Sequence, residues 1–153
     1  MSSRKKTTGG SRLRVLFLCT GNSCRSQMAE GWVRHILGDQ VEVYSAGTHP
    51  SVVNPRAIQV MREAGVDISS HWSKSLDEFL DKPFDLVITL CDHAQARCPV
   101  FPGASKMLHM GFPDPVFAAG TEEEILRVYR EIRDAIRQKL IPLLERELVT
   151  RSS

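Results

Sequence analysis

Residues 18–26 read LCTGNSCRS. Cys19 and Arg25 bracket five small or polar residues, directly after the apolar run Leu13–Leu18. Within that run, Arg14–Leu18 (RVLFL) is aromatic and β-branched, as expected of a buried strand. On the other side, Ser26–Leu37 carries apolar residues at Met28, Ala29, Trp32, Val33, Ile36 and Leu37. That spacing predicts a helix, with Gly38 as its stop. A thiol, a short polar loop and an arginine therefore stand between a strand and a helix.

The same alternation runs on through the chain. Val41–Ser45 alternates like a strand. Asn54-Pro55 supplies an N-cap and a first-turn proline for a helix closed by Gly65. A short helix is expected near Leu76–Leu80, a buried strand over Leu86–Leu90 and a short strand over Lys106–Met110. Thr121 then caps a long helix whose first turn holds Glu122, Glu123 and Glu124, which suits the helix dipole. Its apolar stripe is read as Ile125, Val128, Ile132, Ile136 and Leu140, and Pro142 is expected to kink or end it. The fold class that follows is α/β, a parallel sheet flanked by helices on both faces. With no repeat and no linker, residues 13–149 read as one domain behind a disordered leader, residues 1–12.

Composition narrows the function. At 153 residues, 42% hydrophobic and 25% charged, the chain suits one soluble core. The leader lacks an apolar segment, so it is no secretory signal, and no run approaches a bilayer span. The net charge of +2 owes its sign to Arg4, Lys5, Lys6 and Arg12 in that leader. The remaining body is slightly acidic, so neither nucleic acid nor membrane is an expected partner. The four cysteines, Cys19, Cys24, Cys91 and Cys98, then belong in a reducing cytoplasm, where catalysis or metal binding outranks structural bridging.

In such a fold, ligands bind beyond the carboxyl ends of the strands, where residues 19–25 sit. The backbone N–H groups of Thr20, Gly21, Asn22, Ser23, Cys24 and Arg25, at a helix N-terminus, form a cradle for a tetrahedral oxyanion. Gly21 allows close backbone approach or positive φ, and Asn22 suits a left-handed turn. Arg25 offers a planar fork to two oxyanion oxygens. The same field lowers the Cys19 thiol from about 8.5 into the range of roughly 3.5–7.5. Ser26 is placed to donate a hydrogen bond to the thiolate. A plainer alternative is a glycine-bearing turn over a buried, inert cysteine.

The stretch CTGNSCRSQMAEGW (Cys19–Trp32) resembles the phosphate loop of the low-molecular-weight protein tyrosine phosphatases, and more closely that of their relatives, the thioredoxin-coupled arsenate reductases. YSAGTHPSVVNPRAI (Tyr44–Ile58) and LVITLCDHAQARCPVFPG (Leu86–Gly103) match the same pattern. The resemblance spans roughly Leu13–Leu148. It implies a reductase in which Cys19 attacks arsenate, Cys91 attacks Cys19 to expel arsenite, and Cys98 carries the disulfide to thioredoxin or a similar redoxin. It also implies Asp114, in GFPDPVF, as general acid. Without the resemblance, Asp114 is a turn aspartate before a proline. Cys91 and Cys98 could otherwise ligate zinc with Cys19, Cys24 or His93, although their spacing fits no usual zinc pattern, or they could be buried small hydrophobes.

The remaining expectations are simple. Cys24 packs the loop. Phosphate or sulfate can occupy it. The phosphatases of this resemblance carry aromatic residues beside the acid, whereas here Phe117 follows and no tyrosine does; this favours a small inorganic substrate, with a tyrosine phosphatase using Cys19, Arg25 and Asp114 as the alternative. Some of the resembling reductases bind potassium near Asn22, Glu30 and Ser45. Lys74 stands where they carry an aspartate, so its ammonium replaces the ion unless it is a solvated surface charge. No metal and no cofactor are expected, since His35, His71, His93 and His109 lack metal-ligand spacing. Trp32 and Trp72 are expected in the core or its rim, and Glu30–Arg34 as a surface pair worth tenths of a kcal/mol. A monomer is expected.

Overall fold

The computed structural model describes residues 12–91 and 101–152. Apart from Arg12, the expected leader lies outside the described residues, as do His93 and Cys98. Four strands, β1 (Leu13–Cys19), β2 (Val41–Gly47), β3 (Leu86–Cys91) and β4 (Met107–Phe112), alternate with α1 (Arg25–Leu37), α2 (Pro55–Glu63) and α3 (Glu122–Ser152). Short 3-10 turns occupy Leu76–Phe79 and Pro115–Phe117. The strands form one sheet in the order β2-β1-β3-β4, all parallel.

Alternation along the strands divides the core in two. Val15, Phe17 and Cys19 face α1, α2 and α3, together with Val41, Val43, Ile88 and Leu90. Leu16, Leu18, Ala46 and Val87 face the other way, under Leu76 and Phe79 of the first 3-10 helix and the loop residues Phe84 and Phe101. Among the described residues, helices thus flank both faces unequally: three α-helices on one, a single 3-10 turn and an aromatic cluster on the other. Phe84 meets Tyr44 and Phe101 edge-on, each at 5.7 Å between ring centres, a favoured aromatic arrangement.

The helices form for local reasons. Asn54 caps α2 by accepting from Arg56 N and Ala57 N, with Pro55 at the first position. Gly65 then takes a positive φ of 87° just past its end. Thr121 and Glu124 cap α3 reciprocally: Thr121 Oγ1 accepts from Glu124 N at 3.1 Å, and Glu124 Oε1 from Thr121 N at 2.8 Å.

Three expectations need correction. Of the two outcomes expected at Pro142, a kink or an end, the end does not occur, because the buried Leu140, Ile141 and Leu144 on either side hold the helix against the core. The buried stripe of α3 begins with Leu126 and Tyr129 rather than Ile125 and Val128, which are only half-buried. Strand β4 runs to Phe112, not Met110, because Phe112 pairs with Cys91 and is buried. Among the described residues, no helix is long and apolar enough to cross a membrane.

Candidate active site

Parallel strands bring their carboxyl ends to one edge of the sheet. Cys19 pairs with Gly47 there, and Cys91 with Phe112. Strand β1 ends on the buried Cys19 and α1 begins at Arg25, so Thr20–Cys24 must reverse direction in five residues.

The loop's carbonyls are taken from outside. Thr20 O accepts from His49 N at 2.8 Å, Gly21 O from Ser51 N at 3.1 Å and Ser73 Oγ at 2.8 Å, and Ser23 O from Asn54 N at 2.9 Å. Asn22 O accepts from Gln27 Nε2 at 3.0 Å. A trans peptide points its N–H opposite its carbonyl, and no peptide in the described chain is cis. The N–H groups of residues 21–24 therefore point away from the groups that hold their carbonyls. Loop N–H groups at a helix start make an anion cradle.

The left-handed residue of the turn is Asn22, at φ 46°, rather than Gly21. Its side chain explains the choice. Nδ2 donates to Ser26 Oγ at 2.8 Å, and Oδ1 accepts from Lys74 N at 2.7 Å and Gln27 Nε2 at 3.1 Å. Ser26 Oγ, an acceptor in this bond, keeps its own proton for donation. Gly47 lies directly beneath: a Cβ there would come within 2.6 Å of Thr20 O and 2.8 Å of Asn22 N.

Arg25, only 4% exposed, carries its guanidinium across the sheet edge. Nη1 donates to Phe112 O at 2.9 Å and Nη2 to Asp114 Oδ2 at 3.1 Å. Asp114 in turn caps the second 3-10 turn, its Oδ1 accepting from Val116 N at 3.0 Å. Arg25 and Asp114, 89 residues apart in sequence, are thus brought together. Phe117 stands beside them at 84% exposure. Cys24 is buried, and burial pushes its thiol well above the ordinary range, helped by the neighbouring Cys19 and Asp114. It packs the loop as expected.

Behind the loop is a buried polar cluster that sequence reading only partly found. Glu30 is 5% exposed, not a surface residue as its spacing to Arg34 suggested. It accepts from Arg34 Nη1 at 2.6 Å and also from the Ser45 hydroxyl. Lys74, 7% exposed, places its ammonium 3.7 Å from Glu30 Oε1 and donates to Trp72 O at 2.8 Å. It is no surface charge. Burial lowers its pKa, with Glu30 opposing the shift. Trp72 is 65% exposed, outside the core, and its ring lies over that ammonium at 4.9 Å. Trp32 does pack in the core, its Nε1 donating to Arg133 O at 3.0 Å.

Gln27 and His71 were missed. Gln27 Nε2 donates to Asn22 O, Asn22 Oδ1 and Trp72 O, which leaves Oε1 as the acceptor for His71 Nδ1 at 2.9 Å. A polar residue inside an otherwise apolar helix face was the available signal. Burial lowers the His71 pKa. Among the described residues, no three histidine, cysteine or acidic side chains gather as metal ligands.

The backbone places Cys91 near Cys19. Leu18 pairs with Thr89, so Cys91 lies one residue beyond the level of Cys19 on the neighbouring strand. Both residues thus stand at the carboxyl edge of the sheet, at the ends of neighbouring strands.

Comparison with known proteins agrees with this geometry. The family model described as low molecular weight phosphotyrosine protein phosphatase matches residues 14–152. An arsenate reductase of Halalkalibacterium halodurans is 50% identical over 126 residues, covering 82% of this chain and 91% of that protein. A solved arsenate reductase in the phosphate binding state superposes with a TM-score of 0.75 at 32% identity, covering 88% and 98%. A thioredoxin-dependent arsenate reductase of Corynebacterium glutamicum gives 0.64 at 28% identity, covering 94% of this chain and 65% of that one. With its thiol loop between β1 and α1, its four parallel strands and a match over nearly its whole length, the chain belongs to the low molecular weight phosphotyrosine protein phosphatase family.

Proposed function

We propose that the protein is an arsenate reductase working through a three-cysteine relay, in one domain spanning residues 13–149, as a monomer in the reducing cytoplasm and with no cofactor. The observation that carries this reading is the loop with its carbonyls anchored outward, its Arg25 fork and Asp114 alongside, in a chain half identical to a protein named arsenate reductase.

The oxyanion binds to the N–H groups of Thr20, Gly21, Asn22, Ser23, Cys24 and Arg25 and to the Arg25 guanidinium. Ser26 donates to the Cys19 thiolate. The thiolate attacks As(V); the As–OH bond breaks, Asp114 gives its proton, and water leaves. The product is an S–As(V) adduct on Cys19. The Cys91 thiolate then attacks Cys19 Sγ. An S–S bond forms, and the S–As electron pair passes to arsenic, which leaves as arsenite, As(III). Cys98 attacks Cys91 and frees the Cys19 thiolate. A thioredoxin dithiol reduces the Cys91–Cys98 disulfide. The place of Cys91 at the end of β3, beside the strand that ends on Cys19, supports the second step. The thioredoxin dependence of the Corynebacterium glutamicum relative supports the last. Lys74 beside Glu30 supplies the positive charge of a bound cation, so no potassium is required.

Arsenite release with thioredoxin, thioredoxin reductase and NADPH tests this. Wild type turns over, and Cys19→Ser, Cys91→Ser and Cys98→Ser each lose at least about a thousandfold. One observation favours a second reading: the exposed Phe117 beside Asp114 could stack on an aryl phosphate. A tyrosine phosphatase using Cys19, Arg25 and Asp114 would release no arsenite and would keep aryl phosphate hydrolysis in Cys91→Ser.

A further inference from the structure

The loop carbonyls are held by donors from different parts of the fold. Those of Thr20, Gly21 and Asn22 are met by His49, Ser51, Ser73 and Gln27. The Ser23 carbonyl is met by Asn54 N at 2.9 Å. Asn54 is pinned at both ends of its side-chain amide. Oδ1 accepts from Arg56 N at 2.8 Å as the cap of α2, and Nδ2 donates to Tyr129 OH at 3.1 Å. Tyr129 belongs to α3 and is fully buried, its ring among the apolar residues that the three α-helices cover. A phenylalanine would fill the same space, so packing does not require the hydroxyl. A buried tyrosine hydroxyl does require a polar partner. Arg56 also approaches it, but that guanidinium is engaged by Glu122 at 2.9 and 2.8 Å.

We propose that the Tyr129 hydroxyl is a positioning group for oxyanion binding: it holds Asn54, Asn54 holds the Ser23 carbonyl, and the N–H of that same peptide, on Cys24, is thereby kept in place for the anion. The peptide is planar, so its carbonyl and its N–H turn together. Without the hydroxyl the Asn54 amide loses its acceptor, and the donor to Ser23 O is held from α2 alone. Tyr129 touches neither the anion nor a reacting sulfur, so its effect falls on how well the loop is ordered for binding. The inference rests on residues 20–25 being an oxyanion site.

Calorimetric titration of the reduced full chain with inorganic phosphate tests it, in wild type, Tyr129→Phe, Asn54→Ser and the double variant. Serine keeps a capping oxygen for α2 and removes the amide that Tyr129 receives. Tyr129→Phe should weaken phosphate binding by about threefold to tenfold, the worth of one net hydrogen bond. Asn54→Ser should lose a similar factor, and the double variant no more than either alone, because both break the same link. A hydroxyl that served only the core would lower the melting temperature and leave the affinity where it was. Unchanged affinity in Tyr129→Phe, or losses that multiply in the double variant, therefore overturns the inference alone. Should Tyr129→Phe fail to fold, Asn54→Ser decides: a loss of that size upholds the inference and unchanged affinity overturns it. Failure of wild type to bind phosphate overturns the oxyanion loop itself.

Discussion

Asn22 shows how a single side chain can set a loop. A non-glycine residue at positive φ costs roughly 1–2 kcal/mol, and here that cost is met by hydrogen bonds to Ser26, Gln27 and Lys74. Asn22→Ala keeps the strain and loses the bonds, so urea unfolding should show a loss of about 2–4 kcal/mol. Asn22→Gly relieves the strain and should lose less. His71 makes a second prediction. Its folded pKa lies below the ordinary value of 6.5, so between the two the unfolded chain binds more protons. Stability is therefore full above about pH 6.5 and falls as pH drops through the folded pKa. The charges facing the ring are Glu30, Arg34, Lys74 and Asp67. Unfolding curves of His71→Asn should lack this slope. The expectations for Cys19, Arg25 and Asp114 came from local context and resemblance, and the fold brings Arg25 and Asp114 into contact. Gln27 and His71 were not legible, since their roles depend on a partner 44 residues away.

At the scale of elements, β1 and β3 were read to within a residue because their dense apolar runs mark them directly, whereas β2 and β4 each run two residues further than expected. Helix α3 was read less well. Its charged and apolar residues fit two adjacent stripes, and only packing against Asn54, which donates to Tyr129 OH at 3.1 Å, selects the one through Tyr129. Pro142 misled for a related reason: propensity argues for a stop, but burial of the flanking turns outweighs one lost hydrogen bond. The residue is exposed and leaves the Gln138 carbonyl without its helical donor. Pro142→Ala should raise stability by about 1–3 kcal/mol, seen as a higher melting temperature. In α1, a Cβ at Gly31 would come within 2.7 Å of Ile68 Cγ2. Gly31→Ala should cost about 1–3 kcal/mol by overpacking, measured by urea unfolding.

For the molecule as a whole, the loop is held by backbone donors at His49, Ser51, Asn54 and Lys74 and by the Ser73 hydroxyl, so its shape is a property of the complete fold. Occupancy should then stabilise the entire chain. Melting temperature should rise with phosphate concentration by mass action, remain responsive in Cys19→Ser and lose the response in Arg25→Ala. Exchange of potassium for sodium at equal ionic strength should leave the melting temperature unchanged, because Lys74 travels with the chain.

Gly47 carries no chemistry, yet the floor it forms under Thr20 and Asn22 leaves no room for even a methyl group. A deep mutational scan selecting for arsenic tolerance would find this position as intolerant as Cys19. Intolerance alone would then enrol a silent backbone among the reacting groups. Only the variants' residual folding, lost at Gly47 and kept at Cys19, would tell the mould from the reagent.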